Sequence, residues 1–175
     1  MNPLTQFKQT SILLVLSALS LIALAAPARA TPGCGITVQD LAVGHYPSGS
    51  LDLMCRNHQL RWDLKTKVRG DTDVYVTQYT FSPGGHTGWH THPGPSLVTV
   101  IAGELTVYES DDPTCTPTVY GAGETFTDVG CGDVHLARNA GNVDTVLMVV
   151  HILPNGQPRR IDAPDPGNCV AFICP

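Results

Sequence analysis

Two histidines one residue apart, His90 and His92, stand in the stretch GGHTGWHTHPGPSLVTVIAGE, Gly84 to Glu104, where groups able to do chemistry are most concentrated. In an extended strand successive side chains point to opposite faces. His90 and His92 therefore share one face and Trp89 takes the other. Neutral imidazole is a ligand for transition metals, and a pair on one face needs a further ligand from elsewhere to enclose an ion. A second stretch, GAGETFTDVGCGDVHLARN from Gly121 to Asn139, supplies His135. Three imidazoles on one wall leave metal positions open for water, oxygen or a substrate. The expected cofactor is one divalent transition metal, and Fe, Mn, Ni, Zn and Cu all accept such ligands.

Together the two stretches resemble the two motifs of the cupin family. The first family motif reads Gly, five residues, His-x-His, three or four residues, Glu, six residues, Gly. Gly84, His90, His92 and Gly103 fall on it, and Ser96 stands at the Glu position. The second reads Gly, five residues, Pro-x-Gly, two residues, His, three residues, Asn. Gly132, His135 and Asn139 match it, Gly130 replaces the proline, and one extra residue separates it from Gly123. The resemblance covers roughly residues 73 to 152 and implies a jelly-roll barrel whose metal is held by His90, His92 and His135. A serine hydroxyl is a feeble ligand, so the resemblance implies a neutral three-histidine centre, similar to that of the thiol dioxygenases of the superfamily. Glu104 and Glu124 read as surface residues, not as substitutes for the lost carboxylate.

Ser96 and His86 are the candidate pocket residues around the metal ligands. His86 shares strand parity with His90 but lies beside two glycines, and its simplest reading is a solvent-exposed loop histidine. His151, inside an apolar run, reads as a core histidine, and His45 and His58 fall outside both motifs. Arg138 has the opposite parity to His135 and is expected to face out, while Arg159 and Arg160 either cap the barrel mouth or are solvated.

The elements that must position these residues are short strands. Leu60 to Val68 alternates apolar and polar residues, as a half-buried strand does, and Asp73 to Phe81 is rich in β-branched and aromatic residues. Pro83-Gly84-Gly85 predicts a turn, and Ala102-Gly103 predicts a tight hairpin between the runs Ser96–Ile101 and Glu104–Glu109. Residues 36–46 suggest a strand with a helical turn. The continuously apolar run Val143–Leu153 predicts a central strand buried on both faces. These signals define an all-β protein, sandwich or barrel; the cupin resemblance selects the jelly roll.

Residues 1–30 read as a cleaved signal peptide, with Lys8, an apolar run and the small-x-small sequence Ala28-Arg29-Ala30. Residues 31–175 then form one cupin domain with a Pro-rich tail over 154–175 and no remaining membrane anchor. Losing Lys8 and Arg29 leaves 8 basic side chains against 15 acidic ones, a formal charge of −7. Such a balance argues against nucleic acid as a partner. Six cysteines in an exported chain predict disulfides that staple the N- and C-terminal periphery, with all six paired and Cys115–Cys169 the favoured bridge. The functional expectation is a periplasmic or secreted mononuclear metal enzyme, dioxygenase-like or an isomerase or lyase, acting on a small molecule. The contrasting one is a non-catalytic module that binds a small ligand or the metal itself. A homodimer is compatible with both.

Overall fold

The computed structural model of the chain describes residues 30–169 and 172–174. Of the expected leader only Ala30 falls within them, bridging Pro164; the rest of that expectation lies outside the described residues. The strands are β1 (Cys34–Tyr46), β2 (Leu53–Asn57), β3 (Trp62–Thr66), β4 (Thr72–His86), β5 (His90–Thr91) and β6 (Ser96–Ala102). They continue as β7 (Glu104–Glu109), β8 (Thr118–Gly121), β9 (Thr125–Asp128), β10 (His135–Arg138), β11 (Thr145–Pro154) and β12 (Ile161–Asp162). Ten of them form one antiparallel sheet that curls into a nearly closed barrel of the jelly-roll type.

The β-branched and aromatic residues of β4 make it the backbone of this sheet. It pairs with β1 along one edge, with β11 along the other, and through His86 with Arg138 of β10. β11 lies between β4 and β6, so it is central as expected. Its burial alternates, however: Thr145, Leu147, Val149, His151 and Leu153 are buried, and the residues between them are only half covered. A barrel has one interior, and an apolar outward residue does not acquire a second one. Leu147 and Val149 of the inward row pack with Phe81, Val98, Val100, Leu105, Val107 and Ala137 into the main core. A second cluster, on the outside of β5 and β10, packs Trp89 and Leu136 against Ala163 of the tail.

Several local expectations change. β6 and β7 are not a hairpin: β6 pairs with β9 and β11, β7 with β8 and β10. Gly103, with φ of 74°, turns the chain from one set of partners to the other. A Cβ there would lie 2.6 Å from the Asp144 carbonyl oxygen, so the corner requires glycine. Pro83-Gly84-Gly85 does not end β4; the strand bends at Gly84 and runs on to His86. Residues 36–46 are strand throughout, without a helical turn. Most marked is the alternating run at 60–68, which forms an outlying hairpin with β2 and is not half-buried: Leu60 is 75% exposed, Trp62 51% and Leu64 39%. Alternation describes a strand's two faces but does not supply a layer to cover one of them.

Two disulfides hold the periphery, Cys34–Cys174 and Cys115–Cys169. The second is the expected bridge. The expectation of complete pairing fails, because Cys55 and Cys131 are exposed free thiols on separate parts of the fold. Mass mapping of the non-reduced, alkylated protein should return those two bridges and label Cys55 and Cys131. Reduction should weaken the fold by about 2–5 kcal/mol per bridge and leave the barrel folded, since the main core does not depend on either bond. Loss of cooperative unfolding on reduction would show that the staples, and not the core, define the domain.

Candidate metal centre

The β5 and β10 strands place His135 directly opposite His90 in an antiparallel pair, and His92 follows one residue beyond β5. All three are buried. Ring centroids are 4.4 Å apart for His90 and His135, 4.9 Å for His90 and His92, and 5.5 Å for His92 and His135. One ligand nitrogen from each lies within 4.8 Å of the other two, the span of a shared ion. Trp89 faces the opposite way, into the cluster under the tail.

Backbone carbonyls fix which nitrogen His90 and His92 offer. His90 Nδ1 donates to the Gly88 carbonyl at 3.1 Å, and His92 Nδ1 donates to that of Arg159. With Nδ1 so engaged, Nε2 of a neutral His90 or His92 carries the lone pair, which is the state a metal ligand needs. The Asp133 backbone favours the protonated form of the His135 ring. Burial, followed by His135, Arg160 and His92, holds His90 down at about 2. His135 is also lowered, chiefly by burial, against the opposing pull of Asp128. Asp128 ends β9 beside them, with Oδ2 3.1 Å from His92 Nε2 and Oδ1 3.9 Å from His135 Nδ1. Asp128 Oδ2 is buried and accepts no hydrogen bond. It and the His92 lone pair are two acceptors face to face, an arrangement that needs a proton or a cation between them. This donor set fits a divalent metal.

Ser96 and His151 are paired across β6 and β11, and both point inward. His151 Nδ1 lies 2.8 Å from Ser96 Oγ, and its Nε2 lies 2.9 Å from the Tyr79 hydroxyl. Burial, then His92 and Arg159, pushes His151 down to about 3, and burial raises Tyr79. The neutral chain has two arrangements, one ending in a free Ser96 hydroxyl proton and the other in a free Tyr79 proton. Either presents one donor to the cavity.

That cavity has a volume of ≈ 350 Å³. The three histidines, Asp128, Ser96 and His151 form its polar part, and core residues such as Val98, Leu105, Phe126 and Leu147 wall the remainder. Arg160 of the tail lines it too, while Arg159 is bound to Asp40 and lies over Tyr75. The tail does cap the barrel. Arg138 faces out, over Phe172.

His86 is not brought to the centre, nor is it exposed. It is 3% exposed on the other side of the sheet, near Phe172, with Nε2 3.8 Å from Cys174 Sγ. The intervening Thr87-Gly88, with Gly88 at φ 69°, breaks the parity that linked it to His90. Cys34, Cys174 and His86 form a second cluster of ligand-type residues, but the two sulfurs are bonded to each other. Glu104 and Glu124 are exposed, as expected, and Glu124 accepts the Gly121 N–H at 2.6 Å. Sequence reasoning missed Asp128 and the cavity role of His151. For His151 the signal was its parity with Leu147 and Val149; for Asp128 it was parity with Phe126.

The neutral buried imidazoles set a pH dependence. Between about 2–3 and the ordinary 6.5, the unfolded chain binds protons that folded His90 and His151 refuse. Their contribution to stability is complete above 6.5 and is lost as the pH falls toward those low values. The metal-free protein should therefore melt at a lower temperature at about pH 5 than at about pH 7.5. Equal melting temperatures would mean that these rings are not held neutral.

Residues 77–151 match the family model described as the Cupin domain. No curated protein matches the chain. Among solved structures, a conserved protein with a double-stranded beta-helix domain from Klebsiella pneumoniae is similar at 25% identity and a TM-score of 0.43, over 51% of this chain and 74% of that one. A cupin domain from Bordetella pertussis is similar at 28% identity and a TM-score of 0.39, over 45% of this chain and 80% of that one. With the barrel and the matched segment in place, residues 77–151 have the fold and the sequence pattern of a cupin domain, with His90, His92 and His135 turned inward.

Proposed function

We propose that this protein is an exported single-metal enzyme, dioxygenase-like in chemistry, acting on a small and largely apolar organic molecule with one polar group. The observation that carries the reading is the cavity itself: three imidazole lone pairs converge at the polar part of an otherwise apolar space of ≈ 350 Å³. Small-molecule sites have that composition, an apolar body with a few convergent polar groups. His90, His92 and His135 would hold the metal. When bound, it supplies Lewis-acid polarisation and, if redox-active, electron transfer.

The chain's own residues do the remaining work. Val98, Leu105 and Leu147 exclude water and receive the apolar part of the substrate. The Tyr79–His151–Ser96 chain directs a hydroxyl proton at its polar group. The two disulfides accord with folding in an oxidising compartment, as export requires.

Protein purified without chelator should carry close to one metal per chain, and His135→Ala should lose most of it. Iron-loaded protein should consume dissolved oxygen with a member of a panel of small thiols, phenols and diketones. His151→Phe, which removes the link between Ser96 and Tyr79, should slow that turnover at least roughly tenfold while retaining metal. Saturable thermal stabilisation by a panel member without its consumption would instead make the protein a binding module.

A further inference from the structure

We infer that Asp128 is a fourth, anionic metal ligand, so that the centre is built from three histidines and a carboxylate drawn from an unexpected strand. This rests on the metal-binding reading above and goes beyond it. Ser96 and Asp128 are directly opposite each other on the β6–β9 ladder, and both are buried inside the barrel. Directly paired side chains on one face lie about 4.5–5.5 Å apart at Cβ. The carboxylate absent from Ser96 is therefore present one strand over, in the same cavity.

Both departures from the family spacing serve this placement. Gly130 stands where the motif has proline, and its N–H donates to Asp128 Oδ1 at 2.8 Å. Proline has no N–H and could not make that bond. The additional residue before Gly130 lets the chain turn after Asp128 and pass close under the β5–β6 connection. A Cβ on Gly130 would lie 2.3 Å from the Gly94 carbonyl oxygen, and Cys131 N donates to the His92 carbonyl at 2.7 Å. One carboxylate oxygen is thus anchored, and Oδ2 is left buried and unpartnered, aimed at His92 Nε2. An unsatisfied buried oxygen facing a ring lone pair is unfavourable in the empty protein and is the arrangement a cation would resolve. With Asp128 bound, a divalent ion would have a net charge of about +1 in its ligand shell in place of the +2 of an all-imidazole set.

Cobalt(II) is the probe, added to metal-free wild type and to Asp128→Asn. Asparagine keeps an oxygen for the Gly130 N–H and brings an amide N–H that can donate to His92. The metal-free Asp128→Asn variant should melt at or above the wild-type temperature. Its cobalt affinity, by competition with a chelator, should fall more than roughly a hundredfold, beyond the span typical of a residue that only orients a ligand. The visible bands of bound cobalt should shift as an anionic oxygen ligand is lost. A lower metal-free melting temperature with unchanged affinity and bands would overturn the inference and make Asp128 an ion-pair partner of His92. A moderate loss of affinity with unchanged bands would also overturn it, leaving Asp128 as a positioning residue. Wild type that takes up no cobalt would overturn the three-histidine reading itself, a result separable from the others because wild type and variant would then both be blank.

Discussion

A buried imidazole has two nitrogens and, when neutral, one proton, and the centre depends on where that proton sits. Carbonyls of Gly88 and Arg159 take it from Nδ1 of His90 and His92. Each lone pair is left pointing at the same small volume. Side-chain packing alone would not achieve this, since a ring can flip with little change in shape. The fixed quantity is a backbone path, and the barrel holds two such paths in register.

Those paths come from distant parts of the chain. Gly88 belongs to the approach to β5 and Arg159 to the tail that closes over the barrel. The tail is therefore part of the centre. β12 pairs with β5, Ala163 N donates to the Trp89 carbonyl at 3.0 Å, and Trp89 is buried beneath it. Cys115–Cys169 ties the same segment to the loop after β7. Alternation at His90 and His92 thus does two things at once: it turns two imidazoles inward and sends the tryptophan between His90 and Gly88 outward, as an anchor for the segment that orients His92.

The histidine triad was legible because its spacing is short-range and strand parity is reliable within an unbroken strand. Parity failed where a break intervened, as between His86 and His90 across Gly88. The Ala102-Gly103 pair does not distinguish a hairpin from a corner, because two residues with a glycine serve both equally well. Only the partners of β6 and β7 tell them apart, and those come from residues far along the chain. Leu60, Trp62 and Leu64 carry a strand pattern without a burying partner. Asp128 was hidden for a different reason. Parity with Phe126 turns it inward, but its meaning depends on the pairing with Ser96, a register no local pattern contains.

The Cys34–Cys174 bond has a mechanical meaning. The two cysteines are 140 residues apart and enclose almost the whole described domain in a covalent ring. Tension applied outside the ring, at the two ends of the chain, runs from sulfur to sulfur and bypasses every strand between them. The ladders joining β4 to its neighbours carry none of that load, and neither do the peptide carbonyls that aim His90 and His92. A pull strong enough to unravel an open chain from its ends would reach a covalent bond here before it reached the barrel.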